Sequence, residues 1–264
     1  MIRALLIDLD GVVYRGEQPI AGAREAIHWL QQEDIPFLFV TNTTSRPRRV
    51  IRNKLESMGI IVAEERILTP VVVAAQWLEA HIDGPVAFFV REATREDLGR
   101  GMALGEEAES GARAVVVGDL GPAWDFRTLN RAFRLLMADS RIPLLALGMT
   151  RYWQAPEGLM LDVAPFVKAL EHAAGREALV LGKPSPAFFS EALSLLGVHA
   201  GEALMLGDDM VTDVGGARDA GLLGGLVQTG KYRPADLDGP VEADVVLPAL
   251  GALPAWWTEY AKTR

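Results

Sequence analysis

Two aspartates, Asp8 and Asp10, close a short apolar run near the start of the chain, in the segment LLIDLDGVVY. Gly11 follows and lets the backbone turn sharply, so the two carboxylates need not share a face once the run ends. One could attack an electrophile while the other handles protons. An aspartate is already ionised near neutral pH, which makes it a feasible nucleophile toward phosphate if its repulsion from the phosphate dianion is cancelled. Mg2+ would cancel it, since it takes carboxylates, waters and a phosphate oxygen as ligands. Taken alone, the pair is equally compatible with two acids that cap a turn.

A second acidic group strengthens the metal reading. In GDDMVTD, Asp208, Asp209 and Asp213 follow directly on another apolar run. Carboxylates packed this tightly repel one another unless a cation sits among them. Asp208 is the choice for direct ligation, and Asp213 for positioning a bound water or a neighbouring side chain. Asp209 is left open between a supporting role at the metal and an ordinary N-cap of the next helix.

Two further clusters offer phosphate ligands. Thr41 and Asn42, with Thr43, Thr44 and Ser45 after them, lie between an apolar run and a helical pattern. A helix N-terminus with free N–H groups binds phosphate, although Thr44 or Ser45 could equally cap that helix. Arg46, Arg48 and Arg49 then open the helix against its dipole and read as solvated, with substrate contact as the alternative. Lys183, one of only five lysines against 21 arginines, stands between Gly182 and Pro184. Its ammonium could neutralise both a nucleophile and a transferring phosphoryl group, or it could be a surface lysine in a turn.

These clusters must be held by regular elements. Apolar runs recur at 4–7, 37–40, 86–90, 114–117, 144–147, 178–181, 203–206, 223–227 and 245–247. They have the composition of strands covered on both faces, as in a parallel sheet. Between them Ala23, Ile27 and Leu30 fall on one helical face, as do Ile51, Leu55 and Met58, and Phe189, Leu193 and Leu196. The alternation predicts an α/β fold. In such sheets ligands bind where strand C-termini lead into helices, and side-by-side strands would bring the four polar clusters to one edge.

Bulk properties exclude several function classes. With 264 residues and 50% hydrophobic content, the chain is long enough for a large core in two lobes. The net charge of −9 has the wrong sign for a general binder of nucleic acid or anionic membrane. Cysteine is absent, which removes disulfides, thiolate metal sites and a cysteine nucleophile. The four histidines are scattered, without the spacing of a metal site. The opening MIRALLIDLD ends in acids instead of a small-residue cleavage site, and no run approaches the roughly 20 apolar residues of a membrane span. A cytoplasmic location is the expectation.

In this order, DLDGVVY, TNTTSR, GKPSP and GDDMVTDVGGARDAG resemble the four motifs of the haloacid dehalogenase-like hydrolase superfamily. The residues between TNTTSR and GKPSP resemble the inserted cap of its NagD-like branch. The resemblance covers essentially the whole chain. It implies a Rossmann-like parallel-sheet core at 1–78 and 180–264, with an inserted α/β cap domain at 79–179. It implies further that Asp8 is the nucleophile of a phosphatase and Asp10 the general acid/base. Mg2+ would be held by Asp8, the Asp10 carbonyl and Asp208, and the phosphoryl group by Thr41, Asn42 and Lys183, with Thr43 on the substrate. One relative within that branch carries Ser where this chain has the ordinary phosphatase Asp10, so direct transfer of that relative's substrate range is not implied.

The expected substrate is a small phosphorylated molecule, with a phosphoamide or inorganic pyrophosphate as the alternative. A dehalogenase would have no use for both the proton donor and the carboxylate cluster, and a non-catalytic sensor would not need every reactive position. Specificity is expected from the inserted segment, as from other moving lids. There the loop 148–158, GMTRYWQAPEG, presents Arg151, Tyr152 and Trp153 together, either to clamp a leaving group or to pack. A homodimer through the cap is the expected assembly. Trp256 and Trp257, in a terminal helical stretch, read as packing anchors.

Overall fold

The computed structural model describes residues 1–99, 103–155 and 157–262. The chain folds as two compact units, one comprising Met1–Thr41, Arg48–Leu68 and Lys183–Arg264, the other Asn42–Pro47 and Thr69–Gly182. The second unit thus interrupts the first twice, at Asn42–Pro47 and at Thr69–Gly182, where the sequence suggests a single insertion at 79–179.

The first unit begins with β1 (Ala4–Asp8), a short ribbon of β2 (Tyr14–Arg15) and β3 (Gln18–Pro19), α1 (Ala23–Gln32), β4 (Phe37–Val40), α2 (Arg48–Ser57) and β5 (Ile67–Leu68). In the inserted unit follow α3 (Pro70–His81), β6 (Val86–Phe89), β7 (Ala114–Val117), α4 (Phe126–Met137), β8 (Leu144–Ala146), β9 (Tyr152–Ala155), β10 (Gly158–Leu161), α5 (Val163–Ala174) and β11 (Leu179–Val180). The chain then completes the first unit with α6 (Pro186–Leu196), β12 (Ala203–Gly207), α7 (Gly216–Asp219), β13 (Leu223–Val227), β14 (Val245–Leu247) and α8 (Leu253–Lys262).

Six strands of the first unit form one sheet in the order β14-β13-β12-β1-β4-β5, every pair parallel. Strand β1 is buried along its whole length, as its uninterrupted ALLI run requires of a strand covered on both faces. The chain leaves β1 toward β4 on one side and returns to β12 on the other. That reversal of strand order leaves a crevice at the carboxyl ends of β1, β4 and β12. Ile7 pairs with Leu206 and Asp8 with Val40, so Asp8, Thr41 and Asp208 leave the sheet at the same edge.

Helix α1 buries Ala23, Ala26, Ile27 and Leu30 in a core that also takes in Leu5, Ile7, Phe39, Leu55 and Leu206. Fully burying one such side chain contributes about 1.5–3 kcal/mol. Trp256 and Trp257 pack partly buried against this core with Trp29 and Tyr260, as anchors of α8. Helix α6 departs from the expected face. Phe188, Phe189 and Ala192 are its buried residues, whereas Leu193 and Leu196 are only half-buried.

The inserted unit has its own parallel sheet, β11-β8-β7-β6, and its own core around Phe89, Val115, Val117, Leu135 and Leu144. Two expectations are corrected here. The sequence places the run at 178–181 beside the other motif-bearing strands, but β11 pairs with β8 of the inserted unit, because Leu179 and Val180 align with Leu145 and Ala146. The sequence also reads 148–158 as a loop. Instead Tyr152–Ala155 and Gly158–Leu161 pair antiparallel as a hairpin, since a short stretch of aromatic and apolar residues can satisfy its backbone by folding back on itself. Among the described residues, no helix is long and apolar enough to cross a membrane.

Candidate active site

Asp8 is the last residue of β1 and is 8% exposed. Its Oδ1 accepts a hydrogen bond from Lys183 Nζ at 2.7 Å, and the same ammonium donates to Asp213 Oδ1 at 2.7 Å. Lys183 and Asp213 are both buried as well. Burial opposes the charge of Lys183, but Asp213 and Asp8 outweigh it and hold the ammonium ionised. Lys183 reaches this site as the first residue after the insertion, with no strand of the six-stranded sheet leading into it. Asp10, two residues past Asp8, is exposed.

Asp208 follows β12 and is 2% exposed. Carboxylate oxygens of Asp8, Asp208 and Asp213 lie within 4.8 Å of one another. Three acids around one ammonium leave an excess of negative charge. Burial, with smaller repulsions between the acids, pushes Asp208 and Asp213 up to about 6 and raises Asp8 as well. Asp208 Oδ2 accepts from the Lys231 backbone N–H at 2.7 Å, while Oδ1 is buried and, among the described residues, has no hydrogen-bond partner. An orphaned carboxylate oxygen in an acid-rich, oxygen-only set fits a hard divalent cation such as Mg2+.

The loop after β13 shapes this corner. Thr229 Oγ1 donates to the Gly11 carbonyl at 2.5 Å, and Arg15 Nη2 to the Gly230 carbonyl at 3.0 Å. Gly11 and Gly230 have φ of 89° and 62°, and a Cβ on either would overlap Asp208 Oδ2. Only glycine fits, both for the backbone conformation and for the close approach. Sequence reasoning misses Thr229, Gly230 and Lys231 as site residues. The available signal is a polar cluster, QTGKY, directly after the apolar run at 223–227.

Asp209 resolves as an N-cap. Its Oδ1 accepts from the Val211 and Thr212 backbone N–H groups at 3.1 and 3.0 Å, and its Oδ2 from Lys231 Nζ at 3.2 Å. Burial would raise this acid, but those hydrogen bonds and Lys231 bring it below the usual carboxylate range. Asp213, on the turn that Asp209 caps, is thereby held toward Lys183.

Thr41 is buried after β4, and its N–H donates to the Leu68 carbonyl at 3.1 Å. Asn42 and Thr43 belong to the inserted unit, where they line a cavity with Arg46 and Trp153. The expected cap by Thr44 or Ser45 is not made, because α2 starts only at Arg48, directly after Pro47. Thr44 instead accepts from Thr94 Oγ1 through its carbonyl at 3.1 Å. Arg151, Tyr152 and Trp153 do not form one patch. The Arg151 guanidinium lies 5.6 Å from the Tyr152 ring centroid, whereas Trp153, next along β9, lines the cavity. Successive strand residues point to opposite faces, which separates the two aromatics.

Comparison with known proteins matches this geometry to a hydrolase family. The family description "Haloacid dehalogenase-like hydrolase" fits residues 5–100, and a second HAD-hydrolase-like description fits residues 180–253. The human phospholysine phosphohistidine inorganic pyrophosphate phosphatase is 37% identical over 248 residues, covering 92% of this chain and 89% of that protein. Among solved structures, p-nitrophenyl phosphatase from Archaeoglobus fulgidus superimposes with a TM-score of 0.86 at 27% identity, covering 97% of this chain and 99% of that one. NagD from E. coli K-12 superimposes with a TM-score of 0.84 at 21% identity, over 95% and 97% of the two chains, and so shares the fold.

Proposed function

The chain belongs to the haloacid dehalogenase-like hydrolases, and from that premise we propose that it is a Mg2+-dependent phosphatase acting through an aspartyl-phosphate on Asp8. The observation that carries the reading is the buried Asp8–Lys183–Asp213 arrangement beside the orphaned Oδ1 of Asp208. Lys183 occupies Asp8 Oδ1, which leaves the other oxygen for attack on phosphorus. The same ammonium offsets negative charge on the transferring group.

Asp8, Asp208 and the Asp10 carbonyl would hold the cation, and Asp213 supports them by fixing Lys183. When bound, Mg2+ supplies Lewis-acid neutralisation of the phosphate and of the attacking carboxylate. Thr41, Asn42 and Thr43 orient the phosphoryl group. Asp10 is exposed to the incoming group, so it can protonate the leaving oxygen and then take a proton from the hydrolytic water. The inserted unit acts as the cap and selects the leaving group.

The likeness to a relative named for phospholysine, phosphohistidine and inorganic pyrophosphate favours a second reading of the same site, as a hydrolase of phosphoamides or pyrophosphate. Turnover of p-nitrophenyl phosphate, a phosphoamide and pyrophosphate with Mg2+, with acid trapping of phosphoenzyme, tests both readings. Mg2+-dependent hydrolysis through a trapped phosphoenzyme is expected. Hydrolysis that survives complete chelation would overturn the mechanism.

A further inference from the structure

One hydrogen bond orients the Asp208 carboxylate. Oδ2 accepts from the Lys231 N–H at 2.7 Å, and among the described residues Oδ1 has no partner. The terminal torsion of an aspartate is soft, so the direction of Oδ1 follows from where that N–H points. The N–H belongs to the peptide that joins Gly230 to Lys231. This is the middle peptide of a tight turn, closed by the Tyr232 N–H on the Thr229 carbonyl at 3.1 Å. Rotation of the middle peptide is what separates β-turn types I and II and their mirror images. Rotated here, the peptide would withdraw its N–H from Asp208 and turn a carbonyl toward the carboxylate.

Gly230 makes that rotation easy. It has φ of 62°, and a Cβ there would overlap Asp208 Oδ2 and the Gly11 Cα. The residue that the close approach demands is thus also the one with the freest backbone. Arg15 opposes the rotation, because its Nη2 donates at 3.0 Å to the Gly230 carbonyl, the other end of the same peptide. The peptide is trans, so its C=O and N–H point in opposite directions, and Arg15 and Asp208 hold it from opposite sides. Arg15 is exposed and makes no ion pair among the described residues, which leaves its charge to this carbonyl. Its own backbone is set by the β2–β3 ribbon, where it pairs with Gln18, and the Tyr14 carbonyl before it accepts from the Gly11 N–H at 2.7 Å. All of these residues lie in the first unit.

Resting on the Mg2+ reading above, we infer that Arg15 is a positioning residue for the metal-binding carboxylate of Asp208, acting through the Gly230–Lys231 peptide. The guanidinium fixes the plane of that peptide, and its charge on the carbonyl polarises the group and strengthens the N–H as a donor to Asp208. Charge alone would act in the opposite sense. A bare positive charge near the site repels a divalent cation, so its removal would tighten Mg2+ binding. Positioning makes the same removal weaken it.

Calorimetric titration of the full-length protein with MgCl2 alone, at fixed ionic strength, tests this in the wild type, Arg15→Met and Arg15→Lys. Methionine keeps an unbranched stem and deletes the donor, and an exposed substitution of this kind rarely disturbs folding, which a thermal melt in chelator checks. The Kd of Arg15→Met for Mg2+ is expected to rise roughly 2 to 13-fold, the range for one net hydrogen bond. Arg15→Lys, a charged donor of shorter reach, should recover part of that loss. Mg2+ requires a near-ideal octahedron whereas Ca2+ tolerates irregular coordination, so the Kd for Ca2+ should change less. An Arg15→Met protein that binds Mg2+ as tightly as the wild type, or more tightly, overturns the inference, as does an equal loss for the two cations. A wild type that takes up no Mg2+ overturns the metal reading itself and the inference with it.

Discussion

Lys183 Nζ donates to Asp8 Oδ1 at 2.7 Å across 175 residues of sequence, both side chains buried. The ammonium has two functions here, since it compensates two buried acids and engages Asp8 Oδ1, which leaves the other carboxylate oxygen for the phosphorus. Lys183→Met keeps the stem and deletes the charge. Leaving Asp8 and Asp213 without a counter-ion is expected to destabilise the fold by about 3–5 kcal/mol, the usual cost of breaking a buried pair. Urea denaturation of the Mg2+-free variant measures this, and a change below about 1 kcal/mol would show that the pair carries little.

The two motif aspartates separate by phosphoenzyme formation. Asp8→Asn is expected to leave no acid-stable phosphoprotein and no turnover. Asp10→Asn should still form phosphoenzyme from p-nitrophenyl phosphate, whose leaving group needs little protonation, while losing roughly 10² to 10⁴-fold on an alkyl phosphate. An Asp10→Asn enzyme with wild-type rates on both esters would remove Asp10 from the mechanism.

Asp208 predicts a metal effect that is readable without turnover. A ligand that binds only the folded state stabilises it in proportion to the logarithm of its concentration over Kd. Added Mg2+ should therefore raise the Tm of the wild type progressively, and Asp208→Asn should flatten that response. Chelation should abolish wild-type hydrolysis, and added Mg2+ should restore it. An unchanged Mg2+ response in Asp208→Asn would place the cation elsewhere.

Gly230 packs so closely on Asp208 and Gly11 that any side chain must displace one of them. Gly230→Ala also places a side chain at φ of 62°, a strained backbone for alanine. Loss of Mg2+ affinity by calorimetry is expected in a protein that remains folded by circular dichroism. Thr229→Val should lower kcat by losing the bond to the Gly11 carbonyl, and Thr229→Ser should recover it.

On the hairpin, Trp153 and Tyr152 should behave differently although they are adjacent. Trp153→Ala is expected to lower kcat/KM for the best substrate far more than for a small ester, because contacts to the remote part of a substrate are lost only where they exist. Tyr152→Ala should leave that ratio unchanged, since Tyr152 lies under Arg151 and not in the cavity lining. The reverse pattern would assign the specificity contact to the other face of β9.

Much of the architecture is written in local chemistry. The uninterrupted runs ALLI, FLFV and ALML read as strands covered on both faces, and the acids just after two of them, Asp8 and Asp208, stand out because charge at a buried strand end needs a reason. Periodicity places Ala23, Ile27 and Leu30 on one buried face. The tertiary structure decided what depends on distant pairing. Strand β11 joins the sheet of the inserted unit, although its apolar run is indistinguishable from the others, because a short strand carries no record of its partner. The hairpin separates Tyr152 from Trp153 because alternation appears only once a segment is known to be a strand. Thr229, Gly230 and Lys231 become site residues only through the approach of the β13 loop to Gly11 and Asp208. Sequence specifies which groups can do chemistry, but their meeting depends on strand order, a global property in which β1 lies between β12 and β4.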